Sequence, residues 1–207
     1  MKREAPKTRK NGAAGTQSKM TEAAADPKRV YHIIDNLSVF EARAVLRTLA
    51  ENDANLAQRI AEMTLTSLSD VDVEEVAAAL YDELDALEVE EVWDRAGRTR
   101  HGYVETSEVA SQMIEAVLAP YLEELSRYQA LGLNLEAGEL CKGLLLGLYQ
   151  FEHESKSQFK DWATDLPFDF AQEVLAAWRR GATGEANTGE ISGFIQEELP
   201  SWSVSLK

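Results

Sequence analysis

Glu152, His153, Glu154, Asp161 and Asp165 fall within one short stretch of this 207-residue sequence. Carboxylates beside an imidazole are the groups that bind divalent metals and move protons. Residues 152–154 are consecutive, so on a helix they point in different directions and cannot all reach one ion. One of them could join Asp161 and Asp165. That spacing is looser than a metal signature such as His-Glu-x-x-His. The pattern favours a structural role, with these groups capping helix ends and pairing with Lys156, Lys160 or nearby arginines. The alternative is a metal-binding protein or metal-dependent enzyme centred on His153.

A second polar cluster is the basic stretch Gly97-Arg-Thr-Arg-His-Gly-Tyr103. Two glycines bracket it, so a loop that turns sharply at both ends is expected. Arg98, Arg100 and His101 could grip a phosphate. The acidic excess of the chain instead predicts that Arg98 and Arg100 pair with Glu152, Glu154 and Asp161. Nucleophilic chemistry has little to build on. Cys141 lies in an apolar helix, where a thiolate is disfavoured. There is no Gly-x-Ser-x-Gly elbow, phosphate loop or dinucleotide fingerprint. No catalytic residue, metal ligand or cofactor is assigned.

The chain holds 21 Lys/Arg and 36 Asp/Glu. Eight of the basic residues lie in positions 1–29, against three acidic ones, which leaves 13 basic and 33 acidic side chains in the remainder. A body this acidic repels phosphate backbones and anionic membranes, so nucleic acid is expected only at the basic tail, if anywhere. One cysteine allows no internal disulfide and no cysteine-based zinc site, which suits a reducing cytoplasm. No apolar run of seven residues follows the basic start, so no signal peptide is expected. The run from Gly143 to Tyr149 is far below the roughly 20 residues that span a bilayer.

The elements that would position these groups read as helices. Residues 1–28 form an expected disordered basic tail. Residues 29–200 read as a single all-helical domain, with a tight hairpin over 37–67, an array over 70–180 and a last helix over 188–199. Residues 201–207 read as a C-terminal tail. Ser38 and Glu41 have capping-box spacing. The hairpin's second helix offers only Arg59 as a cation, which argues against a DNA-reading helix-turn-helix. Trp93 is expected to anchor a short helix. A long helix starts at Thr106 or Ser107, is kinked or divided by Pro120, and is capped by Gly132. The central helix, about 135–152, is apolar nearly all round, and Gly143 and Gly147 invite close approach of a neighbour. Phe170, Val174 and Trp178 mark the inner face of the next helix. A loop follows over 181–189. The predicted class is all-α: antiparallel pairs, tetratricopeptide-like or α-solenoid, or an irregular bundle.

Several of these segments carry a resemblance. The loop Gly97–Tyr103, the run Leu145-Leu-Gly-Leu-Tyr-Gln-Phe-Glu-His-Glu-Ser155, Phe159-Lys-Asp-Trp162 and Val174-Leu-Ala-Ala-Trp178 resemble the helical region that accompanies SWIM-type zinc fingers in prokaryotic proteins. The Ala44–Ile60 segment is similar to what precedes it. The resemblance covers roughly residues 36–180 and implies a tetratricopeptide-like region. The finger itself needs a Cys-x-Cys pair and a later Cys-x-His, so its zinc and nucleic-acid roles do not carry over. The expected function is a protein–protein interaction or scaffold module with an acidic surface and an unknown protein partner.

Overall fold

The computed structural model describes residues 27–99, 102–182 and 185–206. The fold is all-α, and the chain divides into two compact units between Thr64 and Leu65. The stretch expected as a single domain over 29–200 spans both units. The basic tail expected over 1–28 lies outside the described residues as far as residue 26. Pro27 and Lys28 belong instead to a helix, α1 (Pro27–Asp35), with proline tolerated in its first turn.

Two further helices follow, α2 (Val39–Asn52) and α3 (Ala54–Leu68). The capping box at the start of α2 is present: the Glu41 amide donates to Ser38 Oγ at 3.3 Å, and the Ser38 amide donates to Glu41 Oε2 at 2.9 Å. The Ser38 hydroxyl, which donates to Glu41 Oε2 at 2.6 Å, and then the Ser38 amide lower the pKa of the Glu41 carboxyl. Asp53 ends α2 in an extended conformation, and its carboxylate accepts from the amides of Asn55 and Leu56 at the start of α3. One extended residue between two helices opens the angle between them. The tight hairpin expected over 37–67 is not formed, since α2 and α3 do not pack along one another. None of the three helices has a buried side chain.

The second unit continues with α4 (Val73–Asp85) and α5 (Val89–Arg95). A two-stranded hairpin, β1 (Gly97–Thr99) and β2 (Gly102–Val104), leads into α6 (Thr106–Ala130) and α7 (Asn134–Glu154). A 3-10 turn (Gln158–Trp162), α8 (Leu166–Gly181) and α9 (Glu185–Glu198) complete it. The helix α7 is the axis. It packs against α4, α6, α8 and α9, only two of which are its chain neighbours. Of the arrangements expected, this is the irregular bundle. Leu140, Cys141, Leu144, Leu145, Leu148 and Phe151 of α7 are buried, as a helix apolar on several sides requires.

The helices α4 and α7 approach closely at the glycines of α7. A Cβ on Gly143 would lie 2.6 Å from Val76 Cβ and 2.9 Å from the Val73 carbonyl oxygen of α4. A Cβ on Gly147 would lie 2.8 Å from the Ala77 carbonyl oxygen. Hydrogen atoms take the place of side chains there, and the two backbones nearly touch.

Pro120 does not divide α6, which runs unbroken from Thr106 to Ala130. Its ring is exposed, so the missing amide bond falls on the solvent side, where water replaces it. Gly132 (φ 75°) ends the helix in a Schellman turn: the Leu133 amide donates to the Tyr128 carbonyl and the Gly132 amide to that of Gln129. Phe170, Val174 and Trp178 of α8 are buried, as expected. The loop expected over 181–189 is shorter, because α8 runs through Gly181 and α9 already begins at Glu185. Trp93 is not an anchor. It is 51% exposed, and Val89 and Val92 hold α5 to the core instead. The expected tail at 201–207 is also corrected, since Leu199, Trp202 and Leu206 are part of the core.

Replacing a helical glycine by alanine ordinarily stabilises by about 0.4–1 kcal/mol. At Gly138 an added methyl group would meet nothing within 4 Å, so Gly138→Ala is expected to follow that rule. At Gly143 and Gly147 the sign should reverse, with a net loss of about 1–3 kcal/mol from overpacking. Chemical denaturation of the three variants checks both signs.

Candidate functional site

The polar elbow after α7 is built around Ser155. Its hydroxyl donates to Asp85 Oδ1 at the end of α4 (2.5 Å) and accepts from the Ser157 amide (3.1 Å). Its carbonyl accepts from Lys160 Nζ at 3.2 Å. Ser155 is buried, so the Asp85 bond forms in a setting where an unmade bond would be expensive. The elbow is thereby fixed to α4 on one side and turns at once into the 3-10 segment, where Phe159 is buried.

The carboxylate of Glu152 accepts the indole N–H of Trp202 at 2.8 Å. His153 stacks on Tyr149, with centroids 4.0 Å apart and planes at 23°. Its Nδ1 lies 2.9 Å from the Tyr149 carbonyl oxygen and its Nε2 lies 3.0 Å from Ser201 Oγ. These partners suit the tautomer with the proton on Nδ1: that N–H donates to the carbonyl, and the Ser201 hydroxyl donates to Nε2. Trp202 meets Tyr149 and Phe168 edge-on, at centroid distances of 5.1 and 5.6 Å. The four rings form a clasp that holds the C-terminal segment to the end of α7. The sequence singled out Glu152 and His153. It missed Tyr149, Ser201 and Trp202, although an aromatic residue in a short segment after Pro200 was the available signal.

The expected arginine lock is not formed at Arg98. Arg98 pairs in register with Tyr103 across the hairpin, and both side chains are exposed. Among the described residues Arg98 makes no ion pair with Glu152, Glu154 or Asp161. Arg100 and His101 lie outside the described residues. The physical reason is twofold: strand pairing fixes Arg98 on an exposed ladder, and Glu152 is already taken by the Trp202 indole. The stretch is a β-hairpin rather than an irregular loop, with Gly97 (φ 106°) and Gly102 (φ 141°) supplying conformations that other residues rarely adopt. Glu154 and Asp161 are exposed. Glu154 acts on Tyr81, whose phenol is pushed up by burial first and then by Asp85, Glu154 and Asp82.

Among the described residues no three His, Cys, Asp or Glu side chains converge on a point that could hold a metal. Both ring nitrogens of His153 are engaged within the protein, which counts against the metal-centred alternative. Burial drives the Cys141 thiol up to about 12, so it is no nucleophile.

A shallow groove of about 330 Å³ runs between the end of α4, α5 and α6, lined by residues including Glu83, Leu87, Glu91, Met113 and Val117. At its edge the Tyr121 hydroxyl donates to Glu83 Oε1 at 2.9 Å. Nothing in it combines a nucleophile with a base.

Two outcomes follow from this geometry. Trp202→Ala removes a buried ring and its bond to Glu152, and a loss of about 3–5 kcal/mol is expected in chemical denaturation. A loss under about 1 kcal/mol would show the C-terminal segment to be loosely held. Burial first, and then the Glu83 carboxylate, push the Tyr121 phenol from 10.0 up to about 12. A group raised by folding stabilises below its unfolded value and loses that contribution as pH climbs through the folded one. The contribution of Tyr121 should therefore be complete at neutral pH and fade between about 10 and about 12. Thermal melts of the chain and of Tyr121→Phe should converge across that window.

The sequence matches no family model, no curated protein and no solved structure.

Proposed function

We propose that this chain works by binding another protein, as an interaction or scaffold module with an acidic surface. One observation carries the reading. The helices α1, α2 and α3 have no buried side chain, yet they display Tyr31, Ile33, Ile34, Val39, Phe40, Leu46, Leu49 and Met63 to solvent. Phe40 is 81% exposed. Single apolar side chains on a surface are ordinary, but three successive helices that bury none of theirs are not, and we read them as a contact surface.

The second unit supports the scaffold half of the reading. It has its own core around α7, and it keeps Glu74, Glu75, Asp82, Glu83 and Asp85 of α4 exposed. The resemblance to helical regions that accompany SWIM-type zinc fingers adds to it, since that resemblance implies a helical module and identifies no catalytic residue. No helix among the described residues is long and apolar enough to cross a membrane. The single cysteine suits the cytoplasm, where we place the protein.

Affinity capture on the tagged full chain tests this. A protein retained by the chain should be lost by the variant Leu46→Glu/Leu49→Glu, which puts charge on the apolar face. Equal recovery by both would overturn the assignment of that face.

A further inference from the structure

We propose that Ser201 and His153 form a nucleophilic site for acyl transfer, with Ser201 as the nucleophile and His153 as its general base. The site lies within the second unit, and its activity goes beyond binding another protein.

Such chemistry needs a hydroxyl within hydrogen-bond reach of an imidazole, and a further group that orients the imidazole. Ser201 Oγ lies 3.0 Å from His153 Nε2, inside the range of about 2.6–3.2 Å that proton transfer requires. For the hydroxyl to donate to Nε2, the ring proton must sit on Nδ1. The Tyr149 carbonyl oxygen, 2.9 Å from Nδ1, accepts only, and it therefore selects that tautomer. Once Nε2 takes the serine proton, the ring is a cation. Glu152 Oε2 lies 3.3 Å from Nδ1, where it stabilises that charge. In a serine–histidine–aspartate triad one carboxylate both orients and stabilises. Here a carbonyl does the first and a carboxylate the second. His153 also stands in the last turn of α7, where the helix dipole favours a cation.

Both groups are held in place. The Trp202 indole donates to the same Glu152 oxygen at 2.8 Å and meets the imidazole edge-on, with centroids 6.4 Å apart. Trp202 is buried, so its ring anchors the backbone that carries the neighbouring Ser201. Ser201 itself is exposed, and acyl group and water both reach it from solvent. The serine follows the histidine by 48 positions and carries no elbow motif, so the pair leaves no pattern in the sequence.

A short carboxylic ester suits a nucleophile that is open to solvent. Ser201 Oγ bonds to the ester carbonyl carbon while its proton passes to Nε2. The bond to the alkoxide then breaks, and His153 gives the proton to the departing alcohol. Water, losing a proton to the same Nε2, attacks the acyl-serine. The carboxylic acid leaves and the serine hydroxyl is restored. An alcohol departs more readily than an amine, so the substrate class is esters rather than amides.

The test uses the full chain with p-nitrophenyl acetate. Nitrophenol should appear faster than with an equimolar amount of free imidazole, which reports what an unassisted ring does. Ser201→Ala and His153→Gln should each lower the rate about 100-fold, the scale of general-base assistance. Unchanged tryptophan fluorescence of both variants shows that Trp202 stays docked. A fluorophosphonate probe on the unaltered chain should label Ser201, located by mass spectrometry. There Oγ bonds to phosphorus, fluoride leaves and the proton passes to His153. This second measurement decides the matter even where a variant unfolds. Hydrolysis no faster than imidazole overturns the proposal and leaves Ser201 a structural hydroxyl. Undiminished hydrolysis by a folded Ser201→Ala overturns it too, as does a probe that labels another residue or none.

Discussion

The contact between α4 and α7 governs the second unit. Its distance is set by two hydrogen atoms, those standing at Gly143 and Gly147 in place of side chains, and α4 closes to the point where its Val73 and Ala77 carbonyls face them. That proximity brings the buried Leu80 and Leu84 onto α7 and leaves its remaining sides for α6, α8 and α9. A helix wrapped on four sides has no amphipathic face to turn to water. This explains why its sequence is apolar nearly all round and why its first polar residues at the C-terminal end start the elbow. The Ser155 bond to Asp85 closes the same pair of helices at its far end.

Much of this was readable from the residues. Capping chemistry is local, so Ser38, Glu41 and Gly132 announced their roles. Helical periodicity is local too, and it located α4, α7 and α8. The glycine pair marked a close approach but could not name α4 as the neighbour, because spacing along one helix carries no information about the other. The candidate site was harder. Glu152 and His153 were singled out for their chemistry, but their partners are Trp202 and Ser201, about 50 positions later. Charge counting favoured arginine for Glu152, whereas the structure uses an indole donor, which buries apolar area as well as making a hydrogen bond. Short terminal segments lack the periodicity on which sequence patterns depend, and so the one holding Trp202 looked like a tail.

The two units treat apolar residues in opposite ways. In the second, leucine and valine at helical spacing become core. In the first, the same spacing leaves them facing water, because α2 and α3 open away from each other at Asp53. Periodicity predicts that a helix has an apolar face; it says nothing about which molecule covers it. The same physical rule therefore yields a bundle with its own core in the second unit and helices whose apolar side chains meet water in the first.

The pairing of α4 with α7 also has a consequence for synthesis. Ser155 bonds to a residue 70 positions earlier. At about 5–20 residues per second, a ribosome takes about 4–14 s to cover that separation. Throughout that interval α4 has left the site of peptide-bond formation without the helix that will cover Leu80 and Leu84. Its acidic flank, from Glu74 to Asp85, keeps like-charged nascent chains apart during the wait. The carboxylates that line the outside of the finished bundle thus also protect its first half before the second exists.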